Sequence, residues 1–165
     1  MHNILCKCTI KLIFNRRPEP LYIPQTTYKM SVAPLARWER YLTAEDHKYL
    51  IQFVQNIKLN IPNDKMLILY GTGRNGKTTL IKEICEYLGE ENCGDFPENI
   101  LGYENIPKLG IYQGLEEIAG NKRRIYVVAN FIKYKQSLVA ETCHIGDVDR
   151  IILEHSRVIN MEHVF

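Results

Sequence analysis

The sequence predicts an α/β fold built on a mostly parallel sheet. Three observations predict it. The run "KMLILY" (Lys65–Tyr70) is apolar without interruption, as expected of a strand covered on both faces. The stretches before and after it carry apolar residues at three- and four-residue intervals, the helical period. Further short apolar runs alternate with helical stretches downstream, the order that builds layered α/β domains.

The elements follow in chain order. Residues 1–40 read as an N-terminal appendage with weak ordering signals. "CTIKLIF" (Cys8–Phe14) can form a strand, but Pro18, Pro20 and Pro24 then demand extended chain. Residues 41–165 read as the main domain. In "TAEDHKYLIQFVQNI", Thr43 is placed to cap a helix, with Asp46 three residues on. Tyr49, Leu50, Phe53, Val54 and Ile57 form its apolar stripe. "IPND" (Ile61–Asp64) is a turn leading into the first strand. A polar glycine-rich loop follows, and then Leu80, Ile81, Ile84 and Leu88 mark a second helix that stops at Gly89. "KLGIYQGLEEIAG" offers a second short apolar run ending in Glu116 and Glu117. "KRRIYVVAN" offers a third, Ile125–Ala129, ending at Asn130. The segment "DVDRIILEHSRVINMEHVF" closes the chain.

Bulk properties exclude several classes. A 165-residue chain with 45% apolar and 24% charged residues can bury a core without disulfides. The five cysteines are odd in number and scattered, so free thiols in a reducing compartment are expected rather than a metal site. No stretch approaches the ~20 apolar residues of a membrane span. The start has no small-residue cleavage site. An intracellular, soluble protein without membrane partners is the expectation. The net charge of +2 is uninformative about partners, although residues 1–40 carry seven Lys/Arg against Glu19 and Glu39.

The loop carries the chemistry. Gly71-Thr72-Gly73-Arg74-Asn75-Gly76-Lys77-Thr78, followed by Thr79, matches the phosphate-binding pattern G-x-x-x-x-G-K-[ST]. It stands between a strand and a helix, the context that separates a P-loop from a chance match. Its glycines permit torsions and close approaches that side chains forbid. Its N–H groups and the helix N-terminus converge on phosphate oxygens. Lys77 is expected to hold the β and γ phosphates of ATP, and Thr78 to present its hydroxyl to Mg²⁺.

Other residues are candidates around that loop. Glu116 and Glu117 follow a strand. One can serve the metal, Glu116 being assigned that role, and the other can polarise water. The same pair also suits the first turn of a solvated helix. Asn130 can orient water at a strand end or simply cap a turn. Arg150, and behind it Arg157, can neutralise charge in phosphoryl transfer, supplied in trans as an arginine finger. "KRR" (Lys122–Arg124) and "FIKYKQ" (Phe131–Gln136) mix cations with aromatics, as single-strand binding surfaces do and as solvated strand ends also do.

The order of these motifs resembles the superfamily 3 helicases, the replication ATPases of viruses and phages. "GTGRNGKTT" is most similar to the primase–helicase branch, and Asp147 or Asp149, Arg150, Ile151 and Phe165 echo a terminal Asp…Arg-Ile…Phe segment. The resemblance spans residues 43–165. It implies an AAA+-like P-loop NTPase fold, a three-layer sandwich. It also implies a Walker A at Gly71–Thr78, a Walker B ending at Glu116–Glu117, a sensor at Asn130 and a finger at Arg150. Bound ATP and Mg²⁺, a homo-oligomer such as a hexameric ring, and single-stranded or forked DNA are further implications. For a viral protein the site of action would be host cytoplasm or nucleus. In that family a basic hairpin separates the second and third motifs, whereas here only "IAGNKRRIYVVA" lies between Glu117 and Asn130. Two other readings remain open on the residues: a P-loop kinase acting on a nucleotide or small metabolite, and a nucleotide-binding module without turnover.

Overall fold

The computed structural model describes residues 33–95, 106–115, 131 and 136–162. Its five strands are β1 (Met66–Tyr70), β2 (Cys93–Asp95), β3 (Leu109–Tyr112), β4 (Ser137–Thr142) and β5 (Ser156–Asn160). They form one sheet in the order β2-β3-β4-β1-β5, and every pairing is parallel. The expected α/β architecture with a parallel sheet is observed. The helices are α1 (Ala33–Ala36), α2 (Ala44–Lys58), α3 (Lys77–Leu88) and α4 (Arg150–Glu154), with a 3₁₀ turn at Arg37–Arg40.

Local chemistry sets the helix ends. Thr43 caps α2 by accepting the Asp46 N–H at 3.1 Å, and its hydroxyl donates back to Asp46 Oδ2 at 2.9 Å. Gly89 stands at the C-cap of α3, where the sequence places the stop.

The alternation along β1 divides the core into two layers. Leu67 and Leu69 face α2 and α3, where they meet Leu50, Phe53, Val54, Leu80 and Ile84. Met66 and Ile68 face the other way, toward Leu138, Val148, Ile152 and Phe131. Burial on both faces explains why the strand reads as an unbroken apolar run. The helix stripes foreseen in α2 and α3 supply the first layer. Each fully buried large apolar side chain there contributes roughly 1.5–3 kcal/mol.

Two observations go beyond the sequence reading. The domain's core begins before residue 41. Leu35 and Trp38 are buried against α3, and Trp38 Nε1 donates to Glu83 Oε2 at 2.7 Å. Arg37 pairs with the same carboxylate. Proline-rich composition upstream masks this docking segment, because one tryptophan carries no periodic signal. The second difference concerns the sheet. The strand lying between β1 and β3 is Ser137–Thr142, a segment with only three consecutive apolar residues, too short a run for a periodicity argument. The run Ile125–Ala129 lies outside the described residues.

Candidate functional site

The C-terminal end of β1 opens directly into the glycine-rich loop, and α3 begins at its last lysine. Parallel strands all end on this side, so β4 and β5 bring their C-terminal residues to the same edge. The N-cap of α3 is Gly76, in the left-handed region at φ 79°, a conformation side chains disfavour. It offers no capping side chain. The first N–H groups of α3 therefore look for an external acceptor, and the helix adds positive potential there.

Lys77 is the decisive group. It is 7% exposed, yet its ammonium is held by neutral oxygens: the Gly71 carbonyl, and Asn75 Oδ1 at 2.9 Å. Among the described residues no carboxylate pairs with it. A buried cation without a counter-ion is costly unless an anion completes it. Asn75 lies beneath the loop against Gly71, where any Cβ would collide with its Nδ2. A side chain at 71 would therefore displace the Asn75 amide. The Nδ2 itself is buried and, among the described residues, has no partner.

A cleft of about 260 Å³ lined by Arg74–Thr79 lies over the loop. Ligand pockets usually start near 300 Å³, so this space suits a phosphate chain with the rest of the ligand outside it. Thr72 and Gly73 are exposed on its approach. A second cleft, about 280 Å³, shares Thr78 and runs along α3 to Lys82, Cys85, Glu86, Glu90, Asp95 and Gln113. Cys85 lines it, and a hydrogen bond between the Cys85 and Cys93 thiols holds the Cys85 pKa below the ordinary range and pushes that of Cys93 up. A further cleft of about 300 Å³ lies at the opposite end of the sheet, lined largely by Ile57, Ile61, Pro62, Ile106 and Pro107. Asn60, Lys108, Gln136 and Ser137 complete its lining.

Thr78 faces a residue that sequence reasoning missed. Its hydroxyl donates to Glu141 Oε2 at 3.1 Å. Glu141 is the fifth residue of β4 and pairs in register with Leu69. Recognising β4 as a strand next to β1 is what would have revealed it.

The other expected residues separate. Glu116, Glu117 and Asn130 lie outside the described residues. Residue 115 is the last described before the paired acids, three positions beyond the end of β3. Arg150 opens α4 with its side chain 91% exposed, paired among the described residues with Glu154 one turn on. Arg157 stands near the start of β5, opposite Leu67, at the far end of the sheet from the loop. It is engaged with α2, donating to Asp46 Oδ1 at 2.7 Å and pairing with Glu45 at 3.1 Å. Those contacts raise its pKa above the usual arginine value, the bond to Asp46 first. Among the described residues no three His, Cys, Asp or Glu side chains gather as a metal cluster. Among them, too, no helix is long and apolar enough to cross a membrane.

No family model matches the sequence, and no curated protein matches it. Solved structures do. RuvB of Thermotoga maritima, a Holliday junction branch migration motor, superposes with a TM-score of 0.50 at 14% identity. The match covers 74% of this chain and 45% of RuvB, so this chain spans less than half the length of that protein. With the strand–loop–helix site and the parallel sheet, the likeness establishes a P-loop NTPase fold.

Proposed function

We propose that this chain is a Mg²⁺-dependent ATPase of the superfamily 3 helicase type, acting in viral or mobile-element DNA replication. The observation that carries the ATP site is Lys77, a buried cation set among neutral oxygens at the head of α3. A phosphate chain in the adjoining cleft would supply its missing counter-charge. Gly71–Thr79 would wrap that chain, Lys77 would neutralise the β and γ phosphates, and Thr78 would face the metal. Glu116, Glu117 and Asn130 would serve hydrolysis from the segment after β3. Arg150, exposed and paired among the described residues with Glu154 in a weak surface contact, would enter a neighbouring subunit's site. A homo-oligomeric ring around single-stranded or forked DNA follows from this reading. RuvB, a Holliday junction branch migration motor, is built on the same fold.

One observation favours a second reading. The cleft that shares Thr78 has room for a small phosphoryl acceptor, as a P-loop kinase requires. Phosphate release from ATP, measured with and without single-stranded DNA and with nucleoside monophosphates, separates the two. Stimulation by DNA together with a ring-sized particle supports the ATPase. ADP formed only when an acceptor is present, with no free phosphate, supports the kinase and overturns the ATPase reading.

A further inference from the structure

Glu141 and Thr78 stand in a relation that neither the loop motif nor the paired acids predict. Residues of one parity in β4 share a face, so Glu141 lies on the side of Val139, which packs toward α3. The register with Leu69 sets Glu141 level with the last turn of chain before the loop. α3 then delivers Thr78 to it, oxygen to oxygen at 3.1 Å.

That spacing, a hydrogen bond here, also matches two neighbouring corners of a metal's shell. Mg²⁺ demands octahedral oxygen ligands at roughly 2.1 Å, so two neighbouring corners of the octahedron lie about 3.0 Å apart. Mg²⁺ also takes few protein ligands, one or two carboxylates with phosphates and waters completing the shell. A hydroxyl and one carboxylate beside a phosphate cleft fit that donor set. Asp95, which with Glu86 and Glu90 lines the second cleft, ends the edge strand β2, three strand spacings from β1, or about 14 Å.

We propose that Thr78 Oγ1 and Glu141 Oε2 are adjacent ligands of one divalent cation, Mg²⁺ or Mn²⁺, that enters with the phosphate chain. The metal-side acid thus stands on β4, beside the loop strand. The proposal rests on the nucleotide reading above and assigns the metal within it.

The test uses the full chain with ADP and Mn²⁺ as the probe. Free Mn²⁺ is followed by electron paramagnetic resonance, and ADP affinity is measured by calorimetry with and without EDTA. Glu141→Gln keeps the size and an acceptor for Thr78, and Glu141 is partly exposed, so the fold should survive; thermal melting checks this. The expected result is Mn²⁺ affinity in the ADP complex lowered by about tenfold or more, with ADP affinity in EDTA unchanged. Glu141→Asp, which keeps the charge, should recover part of the loss. Asp95→Asn, at the end of the edge strand, should leave Mn²⁺ affinity within about twofold. Unchanged Mn²⁺ affinity in Glu141→Gln, or loss in Asp95→Asn instead, overturns the assignment while leaving the nucleotide site standing. Failure of the unaltered chain to bind ADP in EDTA overturns the nucleotide reading and this assignment with it.

Discussion

Asn63 precedes β1 and Asn75 follows it, and both are buried, 6% and 5% exposed. Asn63 uses both ends of its amide inside the protein. Its Nδ2 donates to the Phe53 carbonyl at 3.1 Å and to Ser137 Oγ at 2.9 Å, and its Oδ1 accepts from Asn56 at 2.9 Å. These bonds tie α2, the turn before β1 and the start of β4 together. Among the described residues Asn75 uses half of its amide: Oδ1 accepts from Lys77, and Nδ2 has no partner there. The same residue type, equally buried, is saturated at one end of the strand and unsaturated at the other. A closed polar network holds a fold. An open one next to an unpaired cation leaves interaction energy for something that arrives.

Three substitutions probe this contrast. Lys77→Ala should have the largest effect, reducing ATP turnover to background because the β and γ phosphates lose their cation. Its melting temperature should hold or rise, since a buried ammonium without a carboxylate is removed. Steady-state hydrolysis and calorimetric melting check both halves, and normal turnover would dismiss the ATP site. Asn63→Ala comes next. It strands Ser137, Asn56 and a backbone carbonyl, so about 1–3 kcal/mol of stability should be lost in urea unfolding, with nucleotide affinity unaltered. The mildest is Asn75→Ala. It deletes one bond and one unpartnered donor, so the stability loss should stay below about 1 kcal/mol. Lys77 loses its side-chain guide, and ATP should bind severalfold more weakly. An Asn75→Ala protein as destabilised as Asn63→Ala, with intact ATP binding, would erase the distinction between the two ends.

The sequence carried the local part of this architecture well. Thr43 and Asp46 announce the start of α2, and the structure forms that cap. The run before Gly71 is apolar at every position because both of its faces are covered, so β1 is visible without any partner strand. The loop is legible for a related reason: binding phosphate by backbone groups needs glycines at fixed offsets, and these are written in order along the chain. The strand β4 was not legible. Its three consecutive apolar residues suit a strand, a helix turn or a buried loop equally, and its place beside β1 is a long-range fact. Trp38 is the same case at smaller scale. Its burial against α3 depends on Glu83, a residue far along the chain that accepts its indole N–H.

The chain by itself determined the α/β class, the two helices around β1, and a P-loop at Gly71–Thr78, because helix caps, apolar periods and phosphate loops are set by residues close in sequence. Only the tertiary structure decided which strands flank β1, that Arg157 serves α2, and that Glu141 meets Thr78. Those pairings join residues far apart along the chain, and parallel register, not local spacing, brings them within a bond length of each other.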